Sequence, residues 1–140
     1  KYYVGEAIYD CTVRQGIKVL DEKYYRLKHK EDKYCLLLLE RDSNYDVLYV
    51  DDNGWKSVVY FELVEDDKLY IVDVAPLYIN EGIGKNAFNL LFNYIRQTNL
   101  IKKIYGRTSP IDDQHADRKE HFFNKLGFTI DGRRISRVFK

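Results

Sequence analysis

Residues 69–98 constrain this chain more than any other stretch. They read Leu69-Tyr-Ile-Val-Asp-Val-Ala-Pro76, then Leu77-Tyr-Ile-Asn-Glu, then Gly82-Ile-Gly84-Lys-Asn, then a helically spaced apolar run to Thr98. The order is an apolar strand, a short glycine-containing turn and an amphipathic helix. A helix opening at such a turn presents unpaired backbone N–H groups, which suit a phosphate. Gly-x-Gly alone is common in turns, and an ordinary turn followed by a helix cap is the competing reading. The setting between strand and helix gives the pattern its weight.

The chain has 140 residues, 45% of them hydrophobic and 15% aromatic, which suits one domain with its own core. A formal net charge of +1 favours neither nucleic acid nor a membrane surface. Thirteen tyrosines are dispersed along the chain rather than interleaved with a basic patch, so core and half-buried strand positions account for them. The longest apolar run, Cys35–Leu39, is far too short to span a bilayer, and no secretory signal is visible. Cys11 and Cys35 lack metal-ligand spacing and read as buried free thiols in a reducing cytosol. Methionine is absent, so either the initiator was removed or the chain is part of something longer.

Spacing predicts a strand-like entry over 2–10 and a helix over 12–29, the latter from Val13, Ile17, Leu20, Tyr24 and Leu27. Strands are predicted over 34–40, 46–50, 56–64, 69–75 and 103–108, with a turn at Asp51-Asp-Asn-Gly54. The unbroken apolar character of 69–75 predicts burial on both faces. Helices are predicted over 85–98 and 113–126, the second stopped by Gly127, and a final hairpin turns at Asp131-Gly132. A strand–helix–strand unit from 69 to 108 requires a crossover, so its two strands should be parallel and close.

Two segments resemble motifs of the GNAT N-acetyltransferase superfamily. Val74 and Pro76, with Gly82 and Gly84 after them, match the family's acetyl-CoA-binding strand–turn–helix, although Ile79 stands where Gln or Arg is usual. His121-Phe-Phe-Asn-Lys-Leu-Gly127-Phe128 resembles the later family motif, with Phe123 at the position of a Tyr. The resemblance covers residues 55–140 well and 1–54 poorly. It implies an α/β fold over 1–140, with a variable part (1–54) and an acetyl-CoA-binding part (55–140). The implied sheet is mixed and mostly antiparallel, with a central splayed parallel pair, flanked by helices.

It also implies acetyl-CoA as co-substrate. Its pantetheine arm would lie on Val74 and Ala75, where Pro76 has no N–H and interrupts strand pairing. The pyrophosphate would sit on the backbone of Gly82, Ile83, Gly84, Lys85 and Asn86, with Phe123 lining the cofactor. Amine acetylation needs an amine freed of its proton and a stabilised thiolate leaving group. Phe123 cannot donate a proton, so another group serves, with Tyr70 the candidate, or water serves, or activity is reduced. Alternation places Lys68, Tyr70, Val72 and Val74 on one face and Asp73 on the other. Asp73 in an apolar run reads first as a buried, paired structural carboxylate and second as the base. His115 and His121, with Asp112 and Asp113, lack tight ligand spacing and read as loop, cap and helix-surface residues, so no metal is expected.

The resemblance thus implies a cytoplasmic N-acetyltransferase, monomer or homodimer. Its acceptor would be an amine-bearing small molecule or a protein, recognised by loops 41–55 and 109–117. The alternative is a catalytically weakened binding or regulatory module, part of a longer chain, which the Ile79 and Phe123 departures favour.

Overall fold

A computed structural model describes residues 17–26, 33–51, 54–75, 82–108 and 116–140. The elements are β1 (Lys18–Arg26), β2 (Lys33–Arg41), β3 (Asn44–Asp51), β4 (Gly54–Val64), β5 (Lys68–Val74), α1 (Ile83–Thr98), β6 (Lys103–Arg107), α2 (Ala116–Lys125), β7 (Thr129–Asp131) and β8 (Arg134–Val138). All eight strands form one sheet in the order β1-β2-β3-β4-β5-β6-β8-β7. Among the described strands only β5 and β6 pair in parallel, and α1 makes the crossover between them. Asp42 and Ser43 join β2 to β3 with φ of 50° and 69°, the left-handed pair that matches strand twist in a two-residue hairpin.

The expected α/β architecture, a GNAT-like sheet flanked by helices, is overturned. The described residues form a largely antiparallel eight-stranded sheet with two helices, and both helices pack into one core on the same sheet face. The helix expected over 12–29 is a strand where it is described. Residues 18–26 pair antiparallel with β2, and a bulge at Leu20 breaks the alternation between Val19 and Asp21. That bulge mimics a helical spacing in the sequence while sending Leu20 and Tyr25 to the main core and Val19 to the other side. The strand-like entry over 2–10 lies outside the described residues.

The main core rests on aromatic packing between α1, α2 and the sheet. Phe88 is fully buried and meets Phe61, Phe92, Phe122, Phe123 and Phe128 at centroid distances of 5.7–6.0 Å, mostly edge-on. A smaller cluster of Cys35, Leu37, Leu39, Leu48 and Val50 lies on the opposite face of β2 and β3. That two-sided burial explains the unbroken Cys35–Leu39 run, and it pushes the Cys35 thiol up to about 11.

Helix α2 ends in paired bonds from Gly127 N–H to the Asn124 carbonyl and from Phe128 N–H to the Phe123 carbonyl. Arg137 donates to the Leu126 carbonyl at 2.6 Å and stacks over Phe92 and Phe139, which locks β8 to both helices.

Candidate functional site

Helix α1 opens at Gly82, which has φ 78° and carries no side-chain cap. A Cβ at Gly82 would meet no neighbouring atom within 4 Å, so backbone conformation rather than crowding favours glycine there. Ile83 and Gly84 are buried, while Lys85 is exposed beside the first turn. The Asn86 side chain donates to the Tyr34 hydroxyl at 3.0 Å and ties that turn to β2. Tyr34 is held in turn by stacking on Tyr25 and Tyr49. Tyr34 lies near the start of β2, and the strand directions put that start at the end of the sheet where β5 finishes.

At the same end, β5 and β6 part company. Their ladder holds only Lys68↔Lys103, Leu69↔Ile104 and Tyr70↔Tyr105. Beyond it β5 continues to Val74 on β4, and β6 continues to Arg107 on β8. The β6-facing backbone edge of 71–74 therefore has no ladder partner among the described residues. The Ala75 N–H donates to the Val58 carbonyl at 2.8 Å, so that group is already paired.

A bulge at Val72 reorders the side chains of β5. Phe61 faces Ile71 and Tyr60 faces Asp73, with Val72 unmatched between them. Val74 consequently packs against the main core, and Asp73 is exposed on the face away from the helices. Both sequence expectations for Asp73, burial and a face opposite Tyr70, are corrected by this single extra residue. The predicted two-sided burial of 69–75 is corrected too, since Leu69 and Ile71 are buried while Val72 is 46% exposed. Tyr70 is half-buried and meets the Tyr105 ring edge-on at 5.3 Å, at the last rung of the parallel ladder.

The structure thus puts the β5 end and the opening of α1 at the same end of the sheet, with Tyr70 and Asp73 on the sheet face away from the helices. It does not bring Phe123 to an open surface. That ring is 4% exposed, with Phe122, Phe88 and Phe128 around it. His121 is exposed on α2, whereas Asp112, Asp113 and His115 lie outside the described residues, as do Pro76 and Ile79. Among the described residues, no three His, Cys, Asp or Glu side chains gather as for a metal ion, and no helix is long and apolar enough to cross a membrane.

Sequence reasoning passed over Asp46. It lies across from Tyr60, which in turn faces Asp73, so the three form one row over β3, β4 and β5. Asp46 accepts a 2.6 Å hydrogen bond from Ser57, while Asn44 donates to the Tyr60 hydroxyl at 2.9 Å. Burial raises the Asp46 carboxyl above its usual range, and the Ser57 bond and Arg41 only partly offset this. The only sequence signal was the alternation Tyr45-Asp46-Val47, with both neighbours in the core.

A raised acid binds its proton more tightly in the fold than in the unfolded chain. Its contribution is therefore fully present below the unfolded value and is lost as pH rises through the folded one. Asp46→Asn, which keeps the acceptor for Ser57, should melt higher than the native chain at neutral pH. The difference should shrink as pH falls toward the ordinary carboxylate value of 3.8. A difference independent of pH, followed by calorimetry, would contradict this.

No family model matches the chain, and no curated protein matches it. Among solved structures, the chain is similar to a domain from Methanocaldococcus jannaschii DSM 2661, with 19% identity and a TM-score of 0.47, covering 71% of this chain and 70% of that one. It is also similar to the anti-CRISPR protein AcrVA5, with 18% identity and a TM-score of 0.40, covering 85% of this chain and all of that one. At these scores neither likeness carries the fold or the function.

Proposed function

We propose that this chain is a cytoplasmic acetyltransferase that moves the acetyl group of acetyl-CoA to an amine borne by a small molecule or a protein. One observation carries the reading. The start of α1, with no side-chain cap, and the edge of β5 that has no ladder partner among the described residues lie at the same end of the sheet. Backbone N–H groups at the helix start suit the pyrophosphate, with Gly82 allowing the turn and Lys85 adding positive charge. The open edge at 71–74 offers backbone partners to the pantetheine amides.

In the transfer, the amine nitrogen attacks the thioester carbonyl carbon, the new C–N bond forms, and the C–S bond breaks. The amine's proton leaves to a base, and the CoA thiolate takes up a proton. In this reading Asp73, exposed on the outer face, accepts the first proton. Tyr70, at the last rung of the ladder, supplies the second in the same reading.

A second reading, a binding module without turnover, is favoured by phenylalanine at position 123, which leaves no proton donor at the position of the motif's tyrosine. An amine panel assayed by free-thiol release separates the two. Turnover that falls at least tenfold in Asp73→Asn, with the fold intact by circular dichroism, is the expected result. Acetyl-CoA binding with no thiol release from any amine would leave the binding module.

A further inference from the structure

We infer that the amine acceptor carries an anionic group, a carboxylate or a phosphate, held by Arg107 and Arg134; this rests on the transferase reading above. The two arginines are direct cross-strand partners on β6 and β8. Their neighbours Gly106 and Ile135 pair on the core side, where Ile135 is buried, so alternation sends both guanidinium groups to the outer face. Both are exposed, and among the described residues neither makes a hydrogen bond or an ion pair.

Like charges directly opposite each other destabilise an antiparallel pair. A bridging anion turns that cost into an attraction, and two guanidinium forks match carboxylate and phosphate oxygens in geometry as well as charge. The surroundings suit the same ligand. Tyr105 and Ser136 supply hydroxyls one row away, and Lys103 adds a positive charge further along β6. The acid facing the pair is Asp131, which lies on the far side of Arg134 from Arg107, while Asp73 and Glu62 belong to β5 and β4.

Position connects the pair to the transfer. Arg107 lies two residues beyond Tyr105, where the parallel ladder ends, a strand distance of about 7 Å. An acceptor anchored there by its anion presents its amine toward the gap between β5 and β6, on the face that carries Tyr70 and Asp73.

Phosphoethanolamine, with ethanolamine as its uncharged-tail control, tests the site without relying on turnover. In an NMR titration of the native chain, phosphoethanolamine should shift the Arg107 and Arg134 Nε–H signals saturably, and ethanolamine should not. The double variant Arg107→Gln/Arg134→Gln should raise KM for the anionic amine at least tenfold, hold kcat within about twofold and leave the acetyl-CoA Kd unchanged. Absent shifts, or an equal KM for both amines, overturn the inference. Failure of the native chain to bind acetyl-CoA, read separately by calorimetry, overturns the transfer reading and with it the acceptor role.

Discussion

Replacing Phe88 with alanine should destabilise the fold by about 3–5 kcal/mol, the range for removing a fully buried phenylalanine from a packed core. Phe88 is 0% exposed and stands at the centre of five aromatic neighbours drawn from β4, α1, α2 and the segment after α2. Few neighbours can collapse into the space it leaves, because Phe61 is fixed in the sheet and Phe128 by the cap of α2. Domains of this size have total stabilities of about 5–15 kcal/mol, so the variant should be largely unfolded in mild denaturant. A urea midpoint close to the native one would show that the aromatic cluster is not the centre of the core.

Gly106→Val should have the next largest effect on folding. A Cβ at Gly106 would stand 3.0 Å from the Cβ of Ile71, an atom fixed by the β5 backbone rather than the tip of a flexible chain. The added side chain must therefore push β5 and β6 apart at the point where their ladder has just ended. Overpacking of this kind costs about 1–3 kcal/mol, and a β-branched residue at so close an approach belongs at the upper end. Gly106→Ala should cost less, and the order native, alanine, valine should appear in the denaturation midpoints. Equal midpoints for all three would mean that the two strands yield freely.

Strands and helices with one dominant periodicity were legible in the sequence. β2, β4, β5, α1, β6 and the β7–β8 hairpin lie within a few residues of their expected places. The failures come from bulges and from long-range pairing. Leu20 in β1 and Val72 in β5 each add one residue to an alternating pattern. The first made a strand look helical, and the second exchanged the faces of Asp73 and Val74. Neither insertion has a sequence signature, because each is fixed by the partner strand. The arrangement of helices was misread for a related reason. Amphipathicity shows that a helix has a buried side but not which sheet face receives it, so both helices on one face could not be read from spacing. The opening of α1 at Gly82 was legible because a left-handed glycine before a helix is a local feature. The Arg107–Arg134 pair was not, since it exists only through the register of β6 with β8.

Acetyl-CoA binding at the start of α1 is the claim on which the functional reading depends, and isothermal titration measures it directly. The native chain should bind acetyl-CoA saturably at one site. Lys85→Glu, at an exposed position that leaves the core untouched, should weaken binding at least tenfold by placing a carboxylate beside the phosphates. Gly84→Val should also weaken it, by keeping the phosphates from the backbone of the first turn. Saturable binding lost in both variants, with their folds intact by circular dichroism, is the predicted result. No heat of binding from the native chain, or unchanged affinity in Lys85→Glu and Gly84→Val, would contradict it.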